Sequence, residues 1–215
     1  FNSAAIYKKP SFISINWEID DVKLGEISVD CELLKELSMT NEIKSNRSAV
    51  LSEFGMMNLL PFIREALPEA RIVPLIMPVD TSREQVESLV LDIHEKTSSH
   101  TIMIASVDFS HYLPPEAAAF HDAKSIRVLL NFEEEHFENI EVDSWQSLYA
   151  IRLFGKLREG EKPTVIAHNN SVDILPYDMN STTSYFSAIF QEGTPPEDFQ
   201  VETILLAGDM MLGRG

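Results

Sequence analysis

Apolar positions along this chain change their period from element to element. Leu33, Leu34 and Leu37 recur three and four residues apart behind Asp30, a carboxylate suited to cap a short helix. From Ser52 onward, Met56, Leu59, Leu60, Ile63 and Leu67 fall on one side of a second helical stretch, which Pro61 should kink or interrupt. Residues 71–79, which begin with Arg71, form an apolar segment and predict a strand; Pro74 and Pro78 argue for an edge position or for strand ends. Ser82 and Gln85 have capping-box spacing ahead of Val86, Leu89, Val90 and Ile93. A buried strand over residues 101–106 runs into Asp108. Pro114 and Pro115 suit the first turn of a helix that continues through Ala119 and Ala123 to Leu130. Glu133, Glu134 and Glu135 read as an acidic loop or a solvated helix end. Asp143 is placed to cap a helix carrying Trp145, Leu148, Ile151 and Leu157, which stops near Gly160. Strands over 164–167 and 184–190 follow.

Strands alternating with helices predict an α/β domain whose sheet is mixed and largely parallel, flanked by helices. Residues 191–198 then concentrate Gly, Pro and acidic residues, the composition of a linker. A fresh strand over 203–207 ends in Gly208 and Asp209 and reads as the opening of a second unit. The expected organisation is one domain over 1–190, a linker over 191–201 and the start of another domain over 202–215. Phe1 already reads as mid-domain, so N-terminal strands of the first unit are expected to be missing.

Composition narrows the function classes. The 215 residues are 44% hydrophobic and 24% charged, enough apolar material for a sizeable core. The net charge of −17 comes with no basic stripe, which argues against nucleic acid as a partner and reads first as a device for solubility. No apolar run approaches the roughly 20 residues a membrane span requires, and no signal peptide is visible. Cys31 is the single cysteine, so an intrachain disulfide and a cysteine-rich zinc site are both excluded; it reads as a small, partly buried residue.

The candidate chemistry lies in Val107-Asp108-Phe109-Ser110-His111-Tyr112, where a strand delivers a carboxylate and an imidazole at its carboxyl end. Two readings stay open. His111 is an acid/base oriented by Asp108, or the pair only pins a loop. His94, His100, His121, His136 and His168 share no spacing, and His121-Asp122 reads as a solvated or salt-bridged helix face.

These residues resemble the Memo family, also called AmmeMemoRadiSam system protein B. Val107 to Tyr112 is similar to its signature. Leu24 to Asp30, Glu53-Phe54-Gly55 followed by Leu60-Pro61-Phe62, Ile72 to Met77, Asn170 to Asp173 and Ser184 to Ala188 resemble further family segments in the family's order, over roughly residues 10 to 190. The resemblance implies a fold like that of class III extradiol dioxygenases, with a metal pocket made by two early histidines and a later cysteine. The first of these histidine segments falls before Phe1. Phe54 stands at the second, and Ser144 stands where the cysteine is expected. Phe cannot ligate a metal and a hydroxyl is a poor substitute for thiolate, so a degenerate metal site is expected. Iron or another divalent metal would need upstream histidines. Beside this pocket, Glu53 reads as a carboxylate at a helix start.

Ile204 to Arg214 carries a second resemblance, to the opening of CapA-like proteins (poly-gamma-glutamate synthesis, metallophosphoesterase fold), in which Asp209 would be a metal ligand. The expected function is therefore a Memo-like binding or scaffold module fused to a truncated CapA-like domain. An extradiol-type metal-dependent oxidoreductase, or a metallophosphoesterase residing in the CapA-like part, stays open beside it, and the substrate is not indicated. The family name implies a pathway shared with radical-SAM and AMMECR1-like proteins. The Memo-like part favours the cytoplasm, and the CapA-like part an extracytoplasmic location.

Overall fold

A computed structural model describes residues 12–18, 21–160, 163–176, 179–190 and 203–209. In chain order the strands are β1 (Phe12–Ser14), β2 (Lys23–Leu24), β3 (Ile27–Ser28), β4 (Ile43–Ser45), β5 (Arg71–Met77), β6 (Thr101–Ser106), β7 (His111–Leu113), β8 (Pro163–Asn170), β9 (Thr182–Phe190) and β10 (Thr203–Asp209). The helices are α1 (Cys31–Thr40), α2 (Arg47–Ser52), α3 (Phe54–Met57), α4 (Leu60–Ala66), α5 (Arg83–Lys96), α6 (Pro115–Asn131), α7 (Trp145–Leu157) and α8 (Ser171–Ile174).

The main sheet has the order β4-β1-β5-β10-β6, and every neighbouring pair is parallel except β1 with β5. This is the mixed sheet flanked by helices that the alternation predicts, consistent with an extradiol dioxygenase-like fold. α5 packs against α1 and α7, and α7 against β6. The core between them is built from the periodic residues of the sequence. Leu34, Leu37, Val86, Leu89 and Val90 are fully buried, as are Ile72, Val73 and Ile76 of β5. Asp30 caps α1 through the Leu33 N–H, and Ser82 with Gln85 forms the capping box of α5.

Three local expectations are corrected. β5 is an interior strand despite Pro74. Its ladder to β1 is confined to Ile13–Ile76, so Pro74 is not asked for a donor on that side, and the Pro74 carbonyl accepts the Ser14 hydroxyl at 2.6 Å; Pro78 follows the end of the strand, as a proline at a strand end should. The helical stretch from Ser52 is three pieces and begins earlier, at Arg47 behind an Asn46 cap. Glu53 caps a fresh turn, α3, and Pro61 sits in the first turn of α4, where its lost donor is harmless. Finally, α7 is capped by Ser144 and not by Asp143: the Ser144 hydroxyl accepts the Ser147 N–H at 3.2 Å.

The segment expected to open a second unit, β10, lies inside the main sheet between β5 and β6. The expected linker, residues 191–201, lies outside the described residues. Among the described residues a separate three-stranded sheet, β7-β9-β8, leaves β8 as an edge strand, with Val165 and Ile166 exposed.

Replacing Ile76, fully buried at the meeting of β1, β5 and β10, by Ala should lower stability by about 3 kcal/mol in a urea unfolding curve. Replacing the half-exposed Leu91 of α5 by Ala should cost less than about 0.5 kcal/mol. Equal costs would mean that the sheet centre is not where the core is packed.

Candidate functional site

The strand β6 ends at Ser106, and the chain turns through Asp108 into β7. This turn is fixed by backbone hydrogen bonds to two distant segments. The Phe109 N–H donates to the Ser184 carbonyl at 3.0 Å, and the Ser184 N–H donates to the Ser110 carbonyl at 2.8 Å. The Asp143 N–H donates to the Asp108 carbonyl at 3.0 Å, which brings the lead-in of α7 to the same place. Phe109 is buried and packs on Phe186 of β9 at 5.4 Å between ring centroids. Anchored in this way, Asp108 is exposed and His111 is partly buried.

His111 meets acceptors on both sides of its ring. Nδ1 lies 3.2 Å from the Phe109 carbonyl, and Nε2 lies 3.2 Å from Oδ1 of Asp143. A carbonyl only accepts, so the hydrogen of that contact sits on Nδ1. Nε2 and the Asp143 carboxyl therefore share a proton, as imidazolium with carboxylate or as neutral imidazole with carboxylic acid. Burial raises the Asp143 carboxyl above the usual carboxylate range; the neighbouring His111 opposes this, and Asp108 adds to it. An imidazole hydrogen-bonded to a carboxyl is the pairing of groups that general acid/base chemistry uses.

Glu53 closes the site from the other side. It is buried, and its Oε1 accepts the Gly55 N–H at 2.9 Å. Burial pushes its carboxyl up, the Gly55 N–H pulls it down, and Asp143 pushes it up further. Tyr185 of β9 is near enough to Asp108 for burial and that charge together to raise its phenol, against a hydrogen bond with Thr183. Tyr112 has φ +58°, a left-handed backbone uncommon for an aromatic residue, and its ring meets that of His111 edge-on at 4.8 Å.

The structure thus brings Glu53, Asp108, His111 and Asp143 together. Phe54, at the second histidine position, is 76% exposed. Ser144, at the cysteine position, is buried, and its hydroxyl is spent on Ser147: it accepts the backbone N–H and donates to Oγ at 2.9 Å. These residues do not fit the metal that the fold family implies. Among the described residues no group of three or more His, Cys, Asp or Glu side chains is arranged to hold a metal ion. Asp209 ends β10 in register with Met77.

Sequence reasoning missed Asp143 as a site residue because it read that carboxylate as a helix cap. The signal was Ser144 with Ser147, a better cap pair one residue on. It also read His121-Asp122 as a solvated face, whereas Asp122 is buried. Asp122 accepts the Ser110 N–H at 3.2 Å and lies 2.9 Å from Nε2 of His168 on β8, so it supports the same turn from behind.

A mixed α/β sheet with a carboxylate–imidazole pair just past the end of one strand defines the class. Residues 8–189 match the Memo-like protein family, and the chain belongs to it. It is 24% identical over 184 residues to a MEMO1 family protein of Caldivirga maquilingensis, covering 81% of this chain and 64% of that protein. It is 29% identical over 181 residues to one of Methanocaldococcus jannaschii, covering 78% and 63%. To one of Pyrobaculum aerophilum it is 28% identical over 184 residues, covering 81% and 64%. The chain therefore spans less than two thirds of the length of these relatives. No solved structure matches it.

Because the Glu53 carboxyl is raised, it holds more proton in the folded chain than in the unfolded one between its ordinary value of 4.5 and the raised one. The associated stability is full below the unfolded value and is lost as pH rises through the raised one. Glu53→Gln should flatten that loss in unfolding midpoints measured from about pH 4 to about pH 7; a slope as steep as the parent's would exclude Glu53 as its source. Ser144→Ala should cost about 1 kcal/mol in the same assay through the lost cap.

Proposed function

We propose that this chain is a Memo-like binding or scaffold module whose family-type metal site is degenerate and whose cleft is built on Asp108, His111, Asp143 and Glu53. The observation that carries the reading is the fate of the two ligand positions within the chain. Phe54 offers no donor atom, and the Ser144 hydroxyl is committed to capping α7. One imidazole with three surrounding carboxylates lacks the nitrogen and sulfur donors of an iron, copper or structural zinc site. In this reading the cleft recognises a ligand through hydrogen bonds and charge, and the His111–Asp143 pair supplies a proton where the ligand needs one. The family name supports membership of a pathway with radical-SAM and AMMECR1-like proteins.

Extradiol-type oxidation would require donors that Phe54 and Ser144 do not supply. A CapA-like activity rests on the resemblance of residues 204–214 alone. The pairing of β10 with β5 and β6 favours reading that strand as part of the Memo-like sheet.

Elemental analysis of the purified protein should find no stoichiometric iron, copper or zinc. Stoichiometric metal that disappears in His111→Ala would overturn the proposal. The double variant Phe54→His with Ser144→Cys restores a nitrogen and a sulfur donor and should bind Zn(II) at least tenfold more tightly than the parent in a competition titration. No gain would mean that the two positions do not face a common cleft.

A further inference from the structure

Past the end of β5 the chain walls a cavity of about 570 Å³, within the roughly 300–1,000 Å³ usual for small-molecule sites. Residues 79–84, Glu138 and Trp145 line it, and none of Glu53, Asp108, His111 and Asp143 does. Its place suits a binding site, because open α/β sheets receive ligands outside the carboxyl ends of their strands. Residues 79–84 carry the chain from β5 into the first turn of α5, and Trp145 is the first residue of α7, so two helix N-termini border the cavity. The turn is held firmly. The Thr81 N–H donates to the Pro78 carbonyl at 3.0 Å, and the side-chain amide of the buried Gln146 donates to the Val79 carbonyl at 2.7 Å and the Thr81 carbonyl at 3.4 Å.

Two polar groups of this wall are left over. Thr81 is only 3% exposed, and its hydroxyl has no hydrogen-bond partner among the described residues. Nε of Arg83 is likewise buried without one, although the same guanidinium reaches Glu138 at 3.3 Å and lies over the Tyr149 ring at 5.3 Å. Native structures rarely leave buried donors unpaired. Both groups donate, and they stand at the positive ends of two helices, so the matching partner is an oxygen carrying negative charge. The exposed rim has the opposite preference. Asp80, Glu84 and Glu138 set three carboxylates against one guanidinium. The Ser82 hydroxyl and its own backbone N–H hold the Glu84 carboxyl below its usual range, so it stays charged. An ammonium is favoured there and a polyanion such as phosphate is not. Val79 and Trp145 add apolar surface.

We propose that this cavity binds a free α-amino acid with an apolar side chain, its carboxylate taken by Thr81 and Arg83, its ammonium by the acidic rim and its side chain by Trp145. The site goes beyond the reading of Asp108 and His111 and does not depend on it. The test is a titration of the isotope-labelled full chain with the common amino acids, one at a time at about 10 mM, tenfold above a Kd of about 1 mM. An apolar amino acid such as L-leucine or L-phenylalanine should saturably shift the amide resonances of residues 80–84 and the indole resonance of Trp145, and leave those of β1 in place. The corresponding amine, which lacks the carboxylate, and the N-acetyl derivative, which lacks the ammonium, should each bind at least tenfold more weakly. Thr81→Val keeps the side-chain shape and should weaken binding about tenfold, the loss of one hydrogen bond to a charged group. Its melting temperature without amino acid should equal the parent's, since the hydroxyl has no partner within the fold. No response to any amino acid, equal binding of the amine, the N-acetyl derivative or inorganic phosphate, or undiminished binding by Thr81→Val overturns the proposal. A lowered melting temperature in that variant assigns the hydroxyl to the fold and overturns it as well.

Discussion

The site depends on a reciprocal pair of backbone hydrogen bonds. Phe109 donates to Ser184, and Ser184 donates to Ser110, so the turn after β6 is tied to the middle strand of the smaller sheet. Neither bond involves a side chain, and each is made where the donor or the acceptor is buried, which makes an unpaired alternative costly. With the backbone held at Phe109 and Ser110, the side chains on either side have no freedom to choose their surroundings. Asp108 is turned out, and His111 is turned toward Asp143. The third bond, from Asp143 to the Asp108 carbonyl, then sets the distance at which the imidazole and the carboxyl share a proton.

Much of the fold was legible in the sequence because its determinants are local. The periods of α1 and α5, the caps at Asp30 and Ser82, and the apolar runs of β5 and β6 are each written within a few residues. What was not legible depends on partners far along the chain. Pro74 argued for an edge because a proline lacks a donor; the structure tolerates it because the β1 ladder meets β5 only at Ile76, and Ser14, sixty residues away, bonds the Pro74 carbonyl. The position of β10 was equally hidden, since a strand's own sequence says little about which two neighbours it lies between. β7 escaped notice because three residues carry no period.

The site was legible in part. Asp108 and His111 stood out through their place at a strand end, and Glu53, Phe54 and Ser144 through the family pattern. Asp143 did not, because one carboxylate before a helix serves equally well as a cap or as a partner for an imidazole. The choice is made by Ser144, which takes the cap and releases Asp143. Asp122 was misplaced for a similar reason. A helix position next to His121 looks solvated in sequence, yet its carboxylate faces inward toward Ser110 and His168.

The edge strand β8 has a consequence for how copies of the protein behave toward one another. From Pro163 to Asn170 it carries neither lysine nor carboxylate, the side chains that commonly keep open strands from joining, and Val165 and Ile166 are exposed on it. The register irregularity against β9 between Val165 and Ala167 is a modest local guard. The wider guard is the net charge of −17, which repels a second copy before the strands can meet. That repulsion reaches only about 10 Å at 0.1 M salt and about 3 Å at 1 M. Association of copies through this open strand is thus expected to depend on ionic strength: the charge that opposes it acts over a long range, and added salt screens it.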